Sequence, residues 1–329
     1  MAALALAACG FSAAFAEEQS QIERCWTQEA LAHTDKELGP SRGVRFDLAA
    51  LKQETLDPAV PVAPGLRGSI RSVELPAGEK LIALTFDLCE SGVSVAGYDG
   101  RIIDLLRKES IKATFFVSGK WLETHPERAQ QLIADRNFEI GAHGLRHLDF
   151  SAISDRALHE EIVLPEAAFT RSRNALMARP CMSGVPEAEI PPLWMTLMRF
   201  PYGRCNAKSL AAVAEAGQLA IQWDVISGDP DPHISAKGIA NNILTRAHPG
   251  AIVVAHANGR GRKTADALAI VLPKLKEQGY SFVTVSELLA AGKPVITTKC
   301  YINNPGDVTR VARKSRKRNN DAAFFRRKR

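Results

Sequence analysis

The sequence predicts an α/β protein built on a parallel sheet or an α/β barrel, and two features predict it. From about residue 80 onward, short apolar and β-branched runs alternate with segments that have the apolar periodicity of helices. Polar residues with catalytic chemistry also gather where several of these runs end. The strand-like runs are 81–87, 112–117, 137–142, 197–201, 219–226, 251–256 and 280–285.

Helical patterns connect most of these runs. In GRIIDLLRKES (100–110) the isoleucines and leucines fall on one apolar stripe. The segment AKSLAAVAEAG (207–217) ends at Gly217, the residue type that most often terminates a helix. Both segments are predicted to be helices that join successive strands.

Four segments are expected along the chain of 329 residues. They are a signal peptide (1–16), an N-terminal lead-in (17–79), the α/β domain with the candidate catalytic residues (80–291) and a basic, disordered tail (292–329). The apolar start ends in an A-x-A cleavage pattern at Ala16, and Cys9 alternatively fits a lipoprotein cleavage site. We therefore expect export to the periplasm or the medium, with a lipid-anchored form as the alternative.

The positive charge is confined to the tail. Residues 310–329 hold ten Lys or Arg and one Asp, a net charge of +9, whereas the whole chain carries +6. Residues 1–309 therefore carry −3, which argues against a nucleic-acid partner in spite of the pI of about 9.0. The tail is instead a candidate for contact with an anionic envelope surface.

Export permits disulfides, and the cysteine count leaves their pairing open. A bridge between Cys89 and Cys205 and the alternative of small buried thiols both fit the sequence, because each of the two follows a candidate motif. The cysteines beyond Cys9 are Cys25, Cys89, Cys181, Cys205 and Cys300.

Candidate catalytic groups stand at or just after the ends of strand-like runs. Asp87, Arg199 and His256 each occupy such a position, and His143 and His147 follow a fourth run four residues apart. On one helical turn that spacing places two imidazoles side by side, where they can bind one metal ion with a carboxylate. The turn RFPYG (199–203) can hold a carboxylate through its arginine and offer backbone N–H groups to an oxyanion.

Five motifs in this order resemble the polysaccharide deacetylases, the NodB-homology family of metal-dependent carbohydrate esterases. They are TFDL (85–88), HGLRH (143–147), RFPY (199–202), QWDVISGD (222–229) and VVAH (253–256). The resemblance spans about residues 80–291 and implies a distorted (β/α)7 barrel of the NodB-homology type. It also implies metal-dependent removal of N-acetyl groups from an amino-sugar polymer, such as a chitin-like oligosaccharide or peptidoglycan. Zn²⁺ is the expected ion, with Co²⁺ and Ni²⁺ as alternatives.

The resemblance carries roles to matching positions. It implies Asp87 as general base, His143 and His147 as metal ligands, His256 as general acid, Arg199 as the residue that orients Asp87, and the backbone N–H of Tyr202 as oxyanion donor. Pro201 and Tyr202 of this turn and Trp223 are the expected substrate-binding residues, and Trp223 is the tryptophan expected to contact a sugar ring.

Two positions depart from the family pattern. The second aspartate of TFDD is Leu88 here, and the aspartate that tunes the acid histidine falls at Ile226. Glu90 is the expected substitute as third metal ligand. In the alternative, Asp87 ligates the ion, and Glu90 or a group that does not touch the metal handles the proton. Asp224 is the expected substitute beside the acid histidine, and Asp229 follows it in the loop. Two other functions stay open: an inactive glycan-binding barrel and a metal amidohydrolase of a small C–N substrate.

Overall fold

The computed structural model describes residues 21–39, 47–57, 59–89 and 97–302. Within these ranges the chain forms a sheet of ten strands. The strands are β1 (Ser69–Glu74), β2 (Leu81–Leu88), β3 (Ala113–Val117), β4 (Phe138–Ala142), β5 (Leu197–Met198), β6 (Leu219–Ile221), β7 (Val225–Ile226), β8 (Ile252–His256), β9 (Ser281–Phe282) and β10 (Lys293–Thr297).

The sheet is almost entirely parallel. Its strand order is β10-β1-β6-β5-β4-β3-β2-β8-β7, and β9 pairs with β2. Among the described strands, β1 and β10 form the one antiparallel pair. An isolated bridge joins Ser72 of β1 to Ala251, directly before β8, and so brings the two flanks of the sheet together. The predicted α/β fold with a curled, barrel-like sheet is confirmed.

Helices fill most of the connections between strands, as a parallel sheet requires. In the described ranges they are α1 (Gln21–Cys25), α2 (Gln28–Leu31), α3 (Leu48–Leu51), α4 (Gly100–Lys108), α5 (Gly119–Thr124), α6 (Pro126–Ala134), α7 (Asp155–Met177), α8 (Ala207–Glu215), α9 (Ala236–Leu244), α10 (Thr264–Glu277) and α11 (Val285–Ala291). No helix in this part of the chain has the length and apolar character needed to cross a bilayer.

Local signals explain where the predicted helices begin and which side they bury. In α4, Ile102, Ile103 and Leu106 are buried, which confirms the predicted stripe. Helix α8 begins at a capping box in which Asn206 and Ser209 each accept a hydrogen bond from the other's backbone N–H. Both helices therefore lie within the segments that the sequence predicted to be helical.

Strand β2 separates two apolar clusters. Leu84, Phe86 and Leu88 belong to the larger cluster, which contains buried residues of most helices. Ala83 belongs to the smaller cluster, which contains residues of several strands and of α11. Because successive side chains of a strand point to opposite faces, Asp87 shares the face of Ala83. This alternation directs Asp87 toward the inside of the curled sheet.

The sheet extends beyond the limits of 80 and 291 expected for the α/β domain. Strand β1 lies in the expected lead-in and β10 in the expected tail, and β1 pairs with both β6 and β10. Both flanking segments therefore contribute to the sheet. The expected signal peptide (1–16) and the basic residues 310–329 lie outside the described residues.

Two disulfides join distant parts of the chain. Cys25 of α1 binds Cys181, and Cys205 binds Cys300. The bridge between Cys89 and Cys205 that the sequence allowed is therefore wrong. Cys89 is a buried thiol that takes part in neither bridge.

Candidate active site at the carboxyl ends of the strands

Asp87 and His256 stand side by side on two neighbouring strands. Asp87 lies near the end of β2 and His256 ends β8, and their Cα atoms are partners in the register of this parallel pair. Asp87 is buried, whereas 19% of the His256 side chain is exposed. The backbone of the sheet therefore holds a carboxylate beside an imidazole at the edge of the site.

Arg199, directly after β5, fixes the Asp87 carboxylate. Its buried Nη1 donates to Asp87 Oδ1 at 2.9 Å, and Nη2 donates to the carbonyl oxygen of Gln222 at 3.2 Å. Burial alone would raise the pKa of Asp87, but its interactions with His143, Arg199 and His256 lower it below its usual value. Asp87 is therefore an ionised carboxylate with a fixed orientation.

The loop after β4 carries His143 and His147. The two residues lie in irregular backbone rather than on one helical turn, so the expected reason for their proximity is wrong. Gly144 and His147 both have positive φ angles, 73° and 58°, and the chain doubles back between the two rings. The ring centroids lie 4.9 Å apart, so the structure still brings the two imidazoles together.

Glu161 of α7 holds this loop in place. Its Oε2 accepts hydrogen bonds from the backbone N–H groups of Leu145 at 3.0 Å and Arg146 at 2.9 Å, and the Arg146 side chain donates to Oε1 at 2.9 Å. The Glu161 side chain has no exposed surface. Sequence reasoning missed this residue, and the only signal was a charged residue within the apolar pattern of a helix.

Three buried side chains supply a possible set of metal ligands. Cys89, His143 and His147 each offer one ligand atom, and these atoms lie within 4.8 Å of one another. Bonds of about 2.0–2.3 Å to one shared zinc ion require separations below that upper limit. Among the described residues, His143 Nε2 and His147 Nδ1 are buried without a hydrogen-bond partner.

The protonation of the two rings favours a cation at this position. His143 Nδ1 donates to the carbonyl oxygen of Arg199 at 2.8 Å, which leaves a lone pair on Nε2. Nε2 lies 3.5 Å from Asp87 Oδ2, so two acceptors face each other. Burial lowers the pKa of His143 and of His147, and the neutral imidazole is the form that ligates a metal. The residues present therefore fit a divalent ion.

The segment TFDLCE does not place its side chains as the sequence led us to expect. Leu88 is fully buried in the larger apolar cluster, on the opposite face of β2 from Asp87. Glu90, the expected third metal ligand, lies outside the described residues. Cys89 was missed as a candidate ligand, although its position two residues after Asp87 on an extended chain was the signal that could have revealed it.

Asp229 is the acidic partner of His256. Asp229 Oδ1 lies 2.9 Å from His256 Nδ1, and Oδ2 accepts hydrogen bonds from the backbone N–H of His256 and from Thr264 Oγ1, both at 2.7 Å. Burial alone would lower the pKa of His256, but the negative charges of Asp229 and Asp87 raise it above its usual value. The ring therefore holds its proton more readily than a free imidazole and is suited to donate it.

Asp224 does not take the role expected for it. Its Oδ2 lies 2.7 Å from His248 Nε2, and its Oδ1 accepts from the backbone N–H of Ile252 at 3.1 Å. Ile252 begins β8 and His256 ends it, so about 13 Å of strand separates them at the usual rise per residue. Asp224 precedes β7 and therefore lies at the amino ends of the strands, away from His256. Asp229 follows β7 and lies at the carboxyl ends, beside His256.

The RFPYG turn forms one wall of the site. Tyr202 is 45% exposed, has a φ of 59°, and its ring centroid lies 4.4 Å from that of His147. Pro201 is buried directly before it. Trp223 is only 6% exposed and packs against Gly203, where an added Cβ would lie 2.8 Å from the indole. Trp223 is therefore a buried wall residue, and its expected contact with a sugar ring is not supported.

Comparison with known sequences connects this site to a family. The family model described as polysaccharide deacetylase matches residues 74–178. The chain is 34% identical over 222 residues to a peptidoglycan-N-acetylglucosamine deacetylase of Bacillus cereus, a match that covers 66% of this chain and 91% of that relative. It is 28% identical over 203 residues to a chitooligosaccharide deacetylase of Bradyrhizobium sp., which covers 57% of this chain and 82% of the relative.

Solved structures show the same architecture. A crystal structure of a peptidoglycan N-acetylglucosamine deacetylase matches with a TM-score of 0.55 at 25% identity and covers 68% of this chain and 94% of that one. A CE4 family pseudoenzyme from Bacillus anthracis shares the fold with a TM-score of 0.56 at 23% identity, over 72% of this chain and 71% of its own.

Proposed function

The chain belongs to the polysaccharide deacetylase family, and from that premise we propose that it hydrolyses the N-acetyl groups of an amino-sugar polymer. Peptidoglycan and chitin-like oligosaccharides are the candidate substrates, and the names of the two similar deacetylases support that choice. The observation that carries the proposal is the convergence at one edge of the sheet of a fixed carboxylate, two imidazoles that each have a ring nitrogen without a partner in the described residues, and a third imidazole paired with Asp229.

Asp87 and His256 supply the proton transfers. An acetamide is a poor electrophile with a poor leaving group, so its hydrolysis needs a base for the attacking water and an acid for the departing amine. Asp87 is ionised and oriented by Arg199, and it takes the water's proton. His256, whose pKa Asp229 and Asp87 raise, returns a proton to the nitrogen.

His143 and His147 are the proposed metal-binding histidines. Their unpartnered nitrogens, and the approach of one of them to Asp87 Oδ2, support a bound divalent ion. When bound, a zinc ion would polarise the amide carbonyl and lower the pKa of the attacking water, and cobalt or nickel would be the alternatives.

The RFPYG turn is proposed to stabilise the oxyanion. The family assigns this role to the backbone N–H at Tyr202, and the positive φ of Tyr202 next to the His147 ring supports a specialised backbone conformation there. Pro201 restricts the backbone just before this donor.

The test is acetate release from N-acetylglucosamine oligomers and from peptidoglycan, by metal-free protein and by protein loaded with zinc or cobalt. We expect metal-dependent release, and a loss of at least about 100-fold in Asp87→Asn and in His256→Ala. Asp224→Asn is the matched control, because Asp224 lies at the other end of the strands. The absence of acetate release from every glycan under every metal condition would overturn the proposal.

A second candidate, an inactive glycan-binding barrel, is favoured by one observation. Leu88 stands where the family has a carboxylate, and its side chain is buried away from the site. This alternative predicts that the oligomers bind with micromolar affinity by calorimetry while no acetate appears. Turnover of small amides but not of glycans would instead favour an amidohydrolase.

We also propose that the protein acts outside the cytoplasm. The two disulfides support an oxidising compartment, and the apolar segment 1–16 supports export. On charge alone, residues 310–329 are proposed to contact anionic envelope surfaces.

A further inference from the structure

We propose that the thiolate of Cys89 is the third protein ligand of the divalent ion, together with His143 and His147. The inference deepens the proposed function, because it rests on the same metal site. It assigns the site a His₂Cys ligand set in place of the two histidines and one aspartate that the family motif implies.

The position of Cys89 on the chain supports this role. Cys89 directly follows β2 and lies two residues after Asp87, so an extended backbone gives both side chains the same face. Its side chain is 4% exposed, and its sulfur belongs to the group of ligand atoms that lie within 4.8 Å of one another. Leu88, between the two, points into the larger apolar cluster and cannot reach that group.

The two histidines provide an independent observation. His143 and His147 are at least nine-tenths buried, and each has a ring nitrogen without a hydrogen-bond partner in the described part of the chain. Unpaired buried polar atoms are costly, and a shared ion would satisfy both of them. Because the sulfur of Cys89 lies in the same group of ligand atoms, an ion bound by the rings would also contact the thiolate.

Asn258 orients the cysteine. Its Nδ2 donates to the carbonyl oxygen of Cys89 at 2.8 Å and approaches Sγ at 3.3 Å as a second acceptor. A side chain that donates to a ligating atom orients that ligand and tunes the bound metal. The amide therefore fixes the cysteine backbone and directs an N–H toward a sulfur that would carry negative charge.

A thiolate also restores the charge that Leu88 removes. The family's carboxylate contributes one negative charge to the site, and Cys89 contributes one when ion binding displaces its proton to solvent. Three protein ligands leave one position of a tetrahedral zinc site open, which is the arrangement of catalytic zinc sites. Because thiolates are soft ligands, the site should prefer zinc to magnesium or manganese.

The first experiment measures the ligands of the loaded full-length protein directly. We expect X-ray absorption spectroscopy at the zinc edge to show one sulfur at about 2.3 Å from the ion, together with nitrogen at about 2.0–2.1 Å. The cobalt form should show a thiolate-to-cobalt charge-transfer band. Coordination of the ion by nitrogen and oxygen alone would overturn the assignment, and so would failure to bind zinc or cobalt.

Substitutions provide the second readout. Cys89→Ser should lose the charge-transfer band and bind zinc at least about 100-fold more weakly, since even the loss of an outer-shell partner costs about 10–100-fold. The pair Cys25→Ser/Cys181→Ser is the matched control, because these two cysteines form a disulfide and belong to no candidate metal-ligand group in the described residues, and it should keep both the band and the affinity. Unchanged zinc affinity in folded Cys89→Ser, judged by circular dichroism, would contradict the proposal.

The outcomes separate the two proposals. A sulfur ligand without acetate release from any glycan would leave the metal site standing and overturn the deacetylase function. Acetate release by a site without a sulfur ligand would support the deacetylase function and overturn the assignment of Cys89 as a ligand.

Discussion

The Asp229 carboxylate contacts several groups at the active-site edge. Its two oxygens bind the ring and the backbone of His256 and the hydroxyl of Thr264, and Ser227 Oγ donates to Oδ1 at 2.8 Å. A carboxylate with this many donors is held rigidly. It therefore fixes the tautomer of His256 as well as the charge of the protonated ring.

Asp229→Asn should slow deacetylation by about 10–100-fold, a fraction of what general acid catalysis contributes. Loss of the Asp229 charge removes a contribution that raises the pKa of His256, so the ring loses its proton at lower pH. The alkaline limb of the kcat/KM profile should therefore move to lower pH. Asp224→Asn should leave the profile unchanged, and an equal shift in both variants would contradict the assignment.

The residues at strand ends were predictable from the sequence, but their partners were not. Asp87, Arg199 and His256 follow apolar runs, and such runs mark the carboxyl edge of a parallel sheet. The choice between Asp224 and Asp229 depends on where β7 begins, and that strand is only two residues long. The sequence has no signal strong enough to set so short a boundary.

At the scale of elements, the loop between β4 and α7 shows how a correct pair can be predicted for the wrong reason. The spacing of His143 and His147 suggested a helical turn, whereas positive φ angles and Glu161 bring the rings together. The conformation of such a loop depends on side chains from distant elements. Neither apolar periodicity nor helix propensity in the local sequence reveals those contacts.

Glu161→Gln should weaken zinc binding by about 10–100-fold, as loss of an outer-shell contact does. The amide cannot accept from all three donors of the loop, because its NH₂ group is itself a donor. Zinc affinity can be measured by competition with a chelator. Glu160→Gln is the matched control, since Glu160 contacts the Arg146 side chain but not the loop backbone, and a comparable loss there would contradict the role of Glu161 in holding the loop.

Helix α7 also carries an acid that should make stability depend on pH. Burial raises the pKa of Glu166 to about 7, and the N–H of Met195 only partly offsets it. The folded state therefore binds more protons than the unfolded state between about pH 4.5 and 7, and stability falls as pH rises through that window. Glu166→Gln should gain about 1–3 kcal/mol at pH 8 and little at pH 4.5, measured by urea unfolding.

Glu187→Gln serves as the comparison for this prediction. Glu187 is exposed, so its replacement should change stability equally little at both pH values. A gain in Glu166→Gln that does not differ between pH 4.5 and pH 8 would show that burial of this carboxylate does not determine the effect.

For the whole molecule, the central alternation of strands and helices was predictable and the closure of the sheet was not. Strand β10 contains Pro294 and pairs at an edge, and β1 follows a proline-rich segment, so both resemble linkers in sequence. Their pairing depends on contacts between residues more than 200 positions apart, such as Ser69 with Thr297. Such contacts leave no local pattern.

The bridge between Cys205 and Cys300 ties the chain's last described strand to the RFPYG turn. It closes a loop of 95 residues, so the double variant Cys205→Ala/Cys300→Ala should lose about 2–5 kcal/mol of unfolding free energy. We expect its KM for glycan to rise as well, because the turn that carries Tyr202 loses its tether. The pair Cys25→Ala/Cys181→Ala should destabilise similarly without changing KM, and a matching rise in KM there would contradict this account.

The two faces of β2 bear on any attempt to rewrite the site. Leu88→Asp would restore the TFDD motif of the family. It would also bury a carboxylate among leucine and phenylalanine side chains and so lower stability. Cys89→Asp would keep an anionic group on the side where the imidazoles stand. In this chain, restoring the family motif and placing an acid beside the imidazoles therefore require substitutions at different residues, one position apart.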